Sequence, residues 1–218
     1  MQRILTYYEI NPLAWKKLVD ESPYATWFQT QEAYQFYAAN KLEMTPFACG
    51  VERDGELRAV CVCYVTKEYS SIKQFFTRRA IIIGGPLLAE DISDEALSML
   101  LTSLKNLPSL LAGDGGRLPI YIETRNFHDY SKWKEVFEAC GFSYQPHLNI
   151  QVACNETHTM SEQRRRQVKK GISNGAIICE AESEQEILDW YKILHRLYHE
   201  KVHTPLFTEE FFLEFYRK

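Results

Sequence analysis

The sequence predicts an α/β protein built on a mixed sheet: one complete domain, then the incomplete start of a second. Three observations carry this reading. Strand and helix periodicities alternate along residues 2–154. The dipeptide Asp54-Gly55 sits between two apolar runs, where it supplies the positive φ angles of a tight hairpin turn. From residue 176 the order strand, helix, helix begins again, but the hairpin and later strands do not follow.

The elements are expected in this order. QRILTYY (2–8) is a strand. Asn11-Pro12 opens a helix, with Pro12 at its first position, where a missing N–H costs nothing. Ser22-Pro23-Tyr24-Ala25-Thr26 is a turn, and a second helix runs near 30–39. FACGVER (47–53) and ELRAVCVCYV (56–65) form the hairpin. IKQFFTRRAIIIGG (72–85) is a third β segment, ended by Gly84-Gly85-Pro86, which cannot continue a ladder. Residues 90–107 form a helix with Ser93 as N-cap. LPIYIET (118–124) is a strand suited to the middle of a sheet. Residues 129–140 are a helix, with Ser131 as N-cap and Gly141 as its stop. FSYQPHLNIQVAC (142–154) is a further strand.

The chain then changes character. SEQRRRQVKKGISNG (161–175) is a basic helix stopped by Gly175. AIICEAE (176–182) is a strand. Ser183 to Glu186 is a capping box that starts a helix to about Lys201, and Thr208 caps a last helix. The expected division is therefore residues 1–156 as one domain. Residues 157–218 form a basic linker helix and the N-terminal part of a second, truncated domain. A strand and two amphipathic helices cannot bury their apolar faces alone. Leu188, Ile193, Leu197, Phe211, Phe212 and Phe215 need a partner surface. It could be the first domain or a second copy of the chain; the favoured expectation is a longer native protein.

Composition bounds the function. Apolar residues make up 45% and charged residues 25%, the balance of a globular protein. The formal net charge of -4 gives no support to a dedicated nucleic-acid binder, so any basic site must be local. The chain has six cysteines and begins without a signal peptide. These are read as reduced, mostly buried thiols of a cytoplasmic protein. No apolar run reaches the ~20 residues of a membrane span.

One local feature reverses the sign of its surroundings: Arg164, Arg165, Arg166, Lys169 and Lys170. Arg166, Lys169 and Lys170 fall at i, i+3 and i+4, on one helical face. Arg forks and Lys point charges suit phosphates; the plain alternative is a solvated helix face. His195, His199 and His203 recur every four residues, but no Glu follows the first in the H-E-x-x-H manner. They suit a helix C-terminus, and no metal site is expected. No nucleophile triad is legible, and the catalytic residues are unknown.

The element order resembles the GNAT (GCN5-related N-acetyltransferase) fold. SPYATWFQTQEAY (22–34), IIIGGPLLAE (81–90) and RRRQVKKGISNGAIICEAESEQEILDWYKILHRLYHE (164–200) resemble the FemAB-like branch of that superfamily. The resemblance implies tandem GNAT-like domains, with a basic helix near their junction. It implies an N-acyltransferase or aminoacyltransferase acting on an amine of a cell-envelope or small-molecule acceptor, such as a peptidoglycan precursor. The acyl donor, acyl-CoA or aminoacyl-tRNA, would be a co-substrate and not a stably bound cofactor. The basic cluster would take a phosphate of the nucleotide-linked precursor or of a tRNA end. Self-association through the incomplete second domain is a further expectation. The alternative is a non-catalytic binding or scaffolding protein on the same fold. RNA binding through the basic helix is a third reading.

A GNAT phosphate site follows the pattern Q/R-x-x-G-x-G/A at a helix start. Arg79 through Gly85 has the wrong spacing, and Glu90, Asp91, Asp94 and Glu95 would repel phosphates there. The first domain is therefore not expected to bind CoA.

Overall fold

The computed structural model describes residues 2–67, 77–105, 119–150 and 160–218. The chain divides into two compact units, Met1–Pro146 with Glu210–Lys218, and His147–Glu209.

In the first unit, β1 (Gln2–Thr6) is shorter than expected. The Glu9 carboxylate accepts from the Thr6 N–H at 2.8 Å and the Thr6 hydroxyl at 2.7 Å, which turns the chain into a 3₁₀ turn. Helix α1 (Pro12–Glu21) starts where the Asn11 side chain accepts from the Leu13 and Ala14 N–H groups, and it buries Trp15 and Leu18. Thr30 caps α2 (Gln31–Ala39), which buries Ala33, Phe36 and Tyr37.

The hairpin forms as the turn chemistry requires. Strands β2 (Met44–Arg53) and β3 (Glu56–Thr66) meet at Asp54 and Gly55, whose φ angles are +54° and +87°. Cys49 stands opposite Cys61, with a bulge between Val51 and Glu52. Then come β4 (Arg79–Gly84), β5 (Leu87–Leu88), α3 (Asp94–Lys105), β6 (Tyr121–Asn126) and α4 (Lys134–Ala139). The sheet order is β1-β2-β3-β4-β6, with β5 paired to β3. Every pairing is antiparallel except β4 with β6, which run parallel from Arg79–Tyr121 to Gly84–Asn126.

Helices cover both faces of this sheet, so β2 and β3 are buried on both sides. One cluster packs Cys49, Val51, Cys61, Cys63 and Val65 with Leu97, Leu100, Leu101 and Leu104 of α3 and Phe137 of α4. The other packs Ala48, Val60, Val62 and Tyr64 with Trp15, Leu18, Phe36 and Tyr37 of α1 and α2.

Several local expectations are revised. Ser131 does not cap α4: no side chain does, and Ser131–Trp133 forms a 3₁₀ turn into the helix, its Ser131 N–H held by the Asp129 carboxylate at 2.8 Å. The third β segment is ordered as a strand only from Arg79; residues 68–76 lie outside the described residues. Residues 142–150 form no strand, and Leu148 and Ile150 are 91% and 76% exposed. Residues 151–154, with Cys154, lie outside the described residues.

The second unit holds α5 (Glu162–Ser173) and α6 (Glu184–Leu197). A π turn (Tyr198–Val202) follows α6 and ends at His203, which has φ +57°. The expected strand over 176–182 is absent: those residues are in no ladder, and Ile177 and Ile178 are 83% and 104% exposed. A strand takes its hydrogen bonds from a neighbour, and none of the described residues supplies one. The last helix, α7 (Glu209–Arg217), falls almost wholly in the first unit. Its Phe211 lies 5.1 Å from the Phe36 ring, Phe215 lies 5.6 Å from Phe36 and 6.0 Å from Trp27, and Leu213 is buried. Phe211 and Leu213 of α7 thus pack within the first unit, while Phe215 stays 59% exposed.

Candidate functional site

Two places were marked by chemistry: the Gly84-Gly85-Pro86 turn and the basic helix. In open α/β sheets, ligands gather at the carboxyl ends of parallel strands. Here that end is Gly84 beside Asn126.

It is filled by the protein's own side chains. Gln29 is fully buried, and its Nε2 donates to the carbonyls of Gly84 at 3.2 Å and Gly85 at 2.8 Å. Its Oε1 accepts from the Thr26 N–H at 2.6 Å and the Thr26 hydroxyl at 3.1 Å. Its backbone carbonyl accepts from Trp15 Nε1 at 2.9 Å. From the other side, the Tyr130 hydroxyl donates to the Pro86 carbonyl at 2.8 Å. Burial pushes that phenol well above its ordinary value, so it stays a donor.

Both glycines are obligatory. Their φ angles are +84° and +83°. A Cβ on Gly84 would lie 2.6 Å from Thr26 Oγ1, and one on Gly85 would lie 2.6 Å from Asn126 Oδ1. The turn presents carbonyls to Gln29 and Tyr130, and the space beside it is occupied. Beyond it, Tyr24 packs on Tyr130 and Trp133, and Lys132 Nζ sits 4.0 Å from the Trp133 ring centre. Of the acidic residues near α3, Asp91 pairs with Arg58, so the expected crowd of free carboxylates is reduced. The sequence does not mark Gln29: it is one of two amides, with Gln31, amid the aromatics of SPYATWFQTQ, and nothing local reveals the carbonyls it serves.

Helix α5 is the second place. Ser161 accepts from the Arg164 N–H at 3.3 Å and begins it; Asn174 and then Gly175, at φ +84°, end it. No residue of this helix is buried. Its five cations do not act alike. One exposed face of the helix carries Glu162, Gln163, Arg166, Gln167 and Lys170. Arg166 and Lys170 thus share one face, and Lys169, about 60° round the helix from Arg166, borders it. Arg164 and Arg165 flank the exposed Val168 and Ile172 instead.

Partners separate them further. Arg166 pairs with Glu162 at 2.5 Å. Arg164 donates to Gln167 Oε1 at 3.3 Å, and Arg165 to the Met160 carbonyl at 3.4 Å. Among the described residues, Lys169 and Lys170 make no ion pair. The face that carries Arg166 and Lys170 can therefore offer one guanidinium and one or two ammonium groups to an anion.

The three histidines do not converge. His195 lies in α6, His199 in the π turn and His203 in left-handed backbone beyond it. Among the described residues, no group of three or more His, Cys, Asp or Glu side chains is placed to hold a metal ion. Also among them, no helix is long and apolar enough to cross a membrane.

No protein-family model and no curated protein matches the chain. Among solved structures, FemX matches 99% of this chain with a TM-score of 0.60 and 13% identity. The fold is therefore like that of FemX. The chain spans 54% of the length of FemX, about half. Glucosamine-6-phosphate N-acetyltransferase from Arabidopsis thaliana matches 70% of this chain and 98% of its own, with 11% identity and a TM-score of 0.45. The aminoglycoside N-acetyltransferase AAC(6')-Iy, solved in complex with CoA, matches 71% and 95%, with 8% identity and a TM-score of 0.40.

Proposed function

We propose that this chain is part of a FemAB-like N-acyltransferase or aminoacyltransferase. It would serve the transfer of an acyl group to an amine of a cell-envelope or small-molecule acceptor. The observation that carries the reading is the FemX-like fold over nearly the whole chain, joined to a basic helix in an otherwise acidic protein. In this reading residues 1–156 are a supporting GNAT-like domain, and residues 157–218 open a second one that further polypeptide completes. Self-association through the second unit is the other way to cover it.

The chemistry is amine acylation. The amine nitrogen attacks the acyl carbonyl, a C–N bond forms, and the C–S bond of an acyl-CoA or the C–O bond of an aminoacyl-tRNA breaks. A base or water chain takes the amine proton, and the leaving group is protonated. Arg164, Arg165, Arg166, Lys169 and Lys170 hold and orient a phosphate-bearing substrate, and Arg166 and Lys170 are its principal ligands. No catalytic residue is assigned to this chain.

A second reading has its own observation. The filled carboxyl end of β4 and β6 favours a non-catalytic binding module. Thermal shift with CoA, acetyl-CoA, a UDP-linked peptide precursor and tRNA separates these outcomes. Stabilisation by the precursor, lost in the double variant Arg166→Gln/Lys170→Gln, is expected. A shift with tRNA alone that fades with salt supports the RNA reading. No shift with any of them leaves the scaffolding reading standing and defeats the transferase one.

A further inference from the structure

The basic helix carries one acid among its cations. Glu162 is in the first turn of α5, and its carboxylate holds the Arg166 guanidinium at 2.5 Å across one helical turn. Both side chains are about three-quarters exposed. The same two residues share one exposed helix face with Gln163, Gln167 and Lys170. An Arg fork presents parallel N–H donors to one carboxylate or one phosphate. Glu162 takes one Nη of that fork, so a phosphate gains the full grip of Arg166 only by displacing the Glu162 carboxylate. Lys170, one turn further on, has no such competitor among the described residues.

We propose that Glu162 is an internal competitor for the Arg166 guanidinium and limits the affinity of this helix face for phosphate. This rests on α5 being the phosphate-binding helix. The arrangement has the acid N-terminal to the base at i, i+4, the more favourable orientation for such a pair. The pair is solvent-exposed, so its effect is modest and screened by salt.

The test is a double-mutant cycle read by isothermal titration of inorganic pyrophosphate into the full chain at low ionic strength. Glu162→Gln is expected to tighten binding about threefold, the size of an exposed pair's coupling. Arg166→Gln is expected to weaken it. In the Arg166→Gln background, Glu162→Gln is expected to change nothing. If Glu162→Gln tightens binding equally in both backgrounds, Glu162 acts as a distant charge and the competition is overturned. If it has no effect in the wild-type background, the competition is likewise overturned while the phosphate site stands. If wild type binds no pyrophosphate, or if Arg166→Gln and Lys170→Gln leave binding unchanged, the phosphate reading of α5 itself fails and takes the competition with it. Circular dichroism of each variant checks that α5 remains helical, since Glu162 also favours the helix start.

Discussion

The two units of this chain hold comparable secondary-structure signals and opposite amounts of core. Among the described residues, the buried hydrophobic ones lie in the first unit, with Trp15, Phe36, Cys61 and Leu100 at its centre. Among the described residues of the second unit, His147–Glu209, none is buried. Yet α5 and α6 form there as the sequence predicts, each with its serine cap. The strand expected at 176–182 does not. The contrast separates two kinds of order. A helix satisfies its backbone within its own segment, so caps and propensity suffice to place it. A strand satisfies its backbone on another segment, so it waits for a partner.

The largest break in that contrast should come from Phe36, where α1, α2 and α7 meet. Phe36→Ala is expected to cost the first unit about 3–5 kcal/mol, measured by urea unfolding. Next is Gln29→Leu, which leaves the Gly84 and Gly85 carbonyls buried without their donor. A loss of about 3 kcal/mol is expected in the same assay. Gly84→Ala follows, at about 2 kcal/mol, from the positive φ and the approach to Thr26 Oγ1.

A pH titration sharpens the comparison from another side. Burial pushes the Cys49 thiol up to about 11, against an ordinary value of 9.0, and raises Cys61 and Cys63 as well. The unfolded chain loses these protons at lower pH than the folded chain. Their contribution to stability is thus fully present below pH 9 and is lost as pH rises towards 11 and beyond. Thermal melts of the first unit should be flat from neutral pH to about 9 and fall above it; a flat curve to 11 would contradict the burial of these thiols. The smallest effect belongs to the second unit. Trp190 is half-exposed on α6, and Trp190→Ala should change stability by no more than about 0.5 kcal/mol. A loss comparable to that of Phe36→Ala would mean that α6 is covered in solution.

The candidate site was legible to different depths. The five cations of α5 and its stop could be read from residues 161–175 alone. That Arg166 is engaged by Glu162 while Lys170 is not could not be read, because rotamers choose among neighbours at i, i+3 and i+4. The Gly84-Gly85 turn was visible as punctuation. Its closure by Gln29, 55 and 56 residues away, was not, because nothing local to either segment records the other.

By itself the sequence determined whatever depends on a few consecutive residues. That includes the Asn11-Pro12 helix start, the Asp54-Gly55 hairpin, the Ser183 cap and the Gly141 and Gly175 stops, all of which act within one turn of chain. Only the tertiary structure decided which segments pair and what lies buried. It made β4 and β6 parallel neighbours, filled their carboxyl end with Gln29 and Tyr130, returned α7 to Phe36, and left 176–182 without a ladder. Those outcomes rest on contacts between distant segments, whose energies appear only once the chain has closed the loops between them.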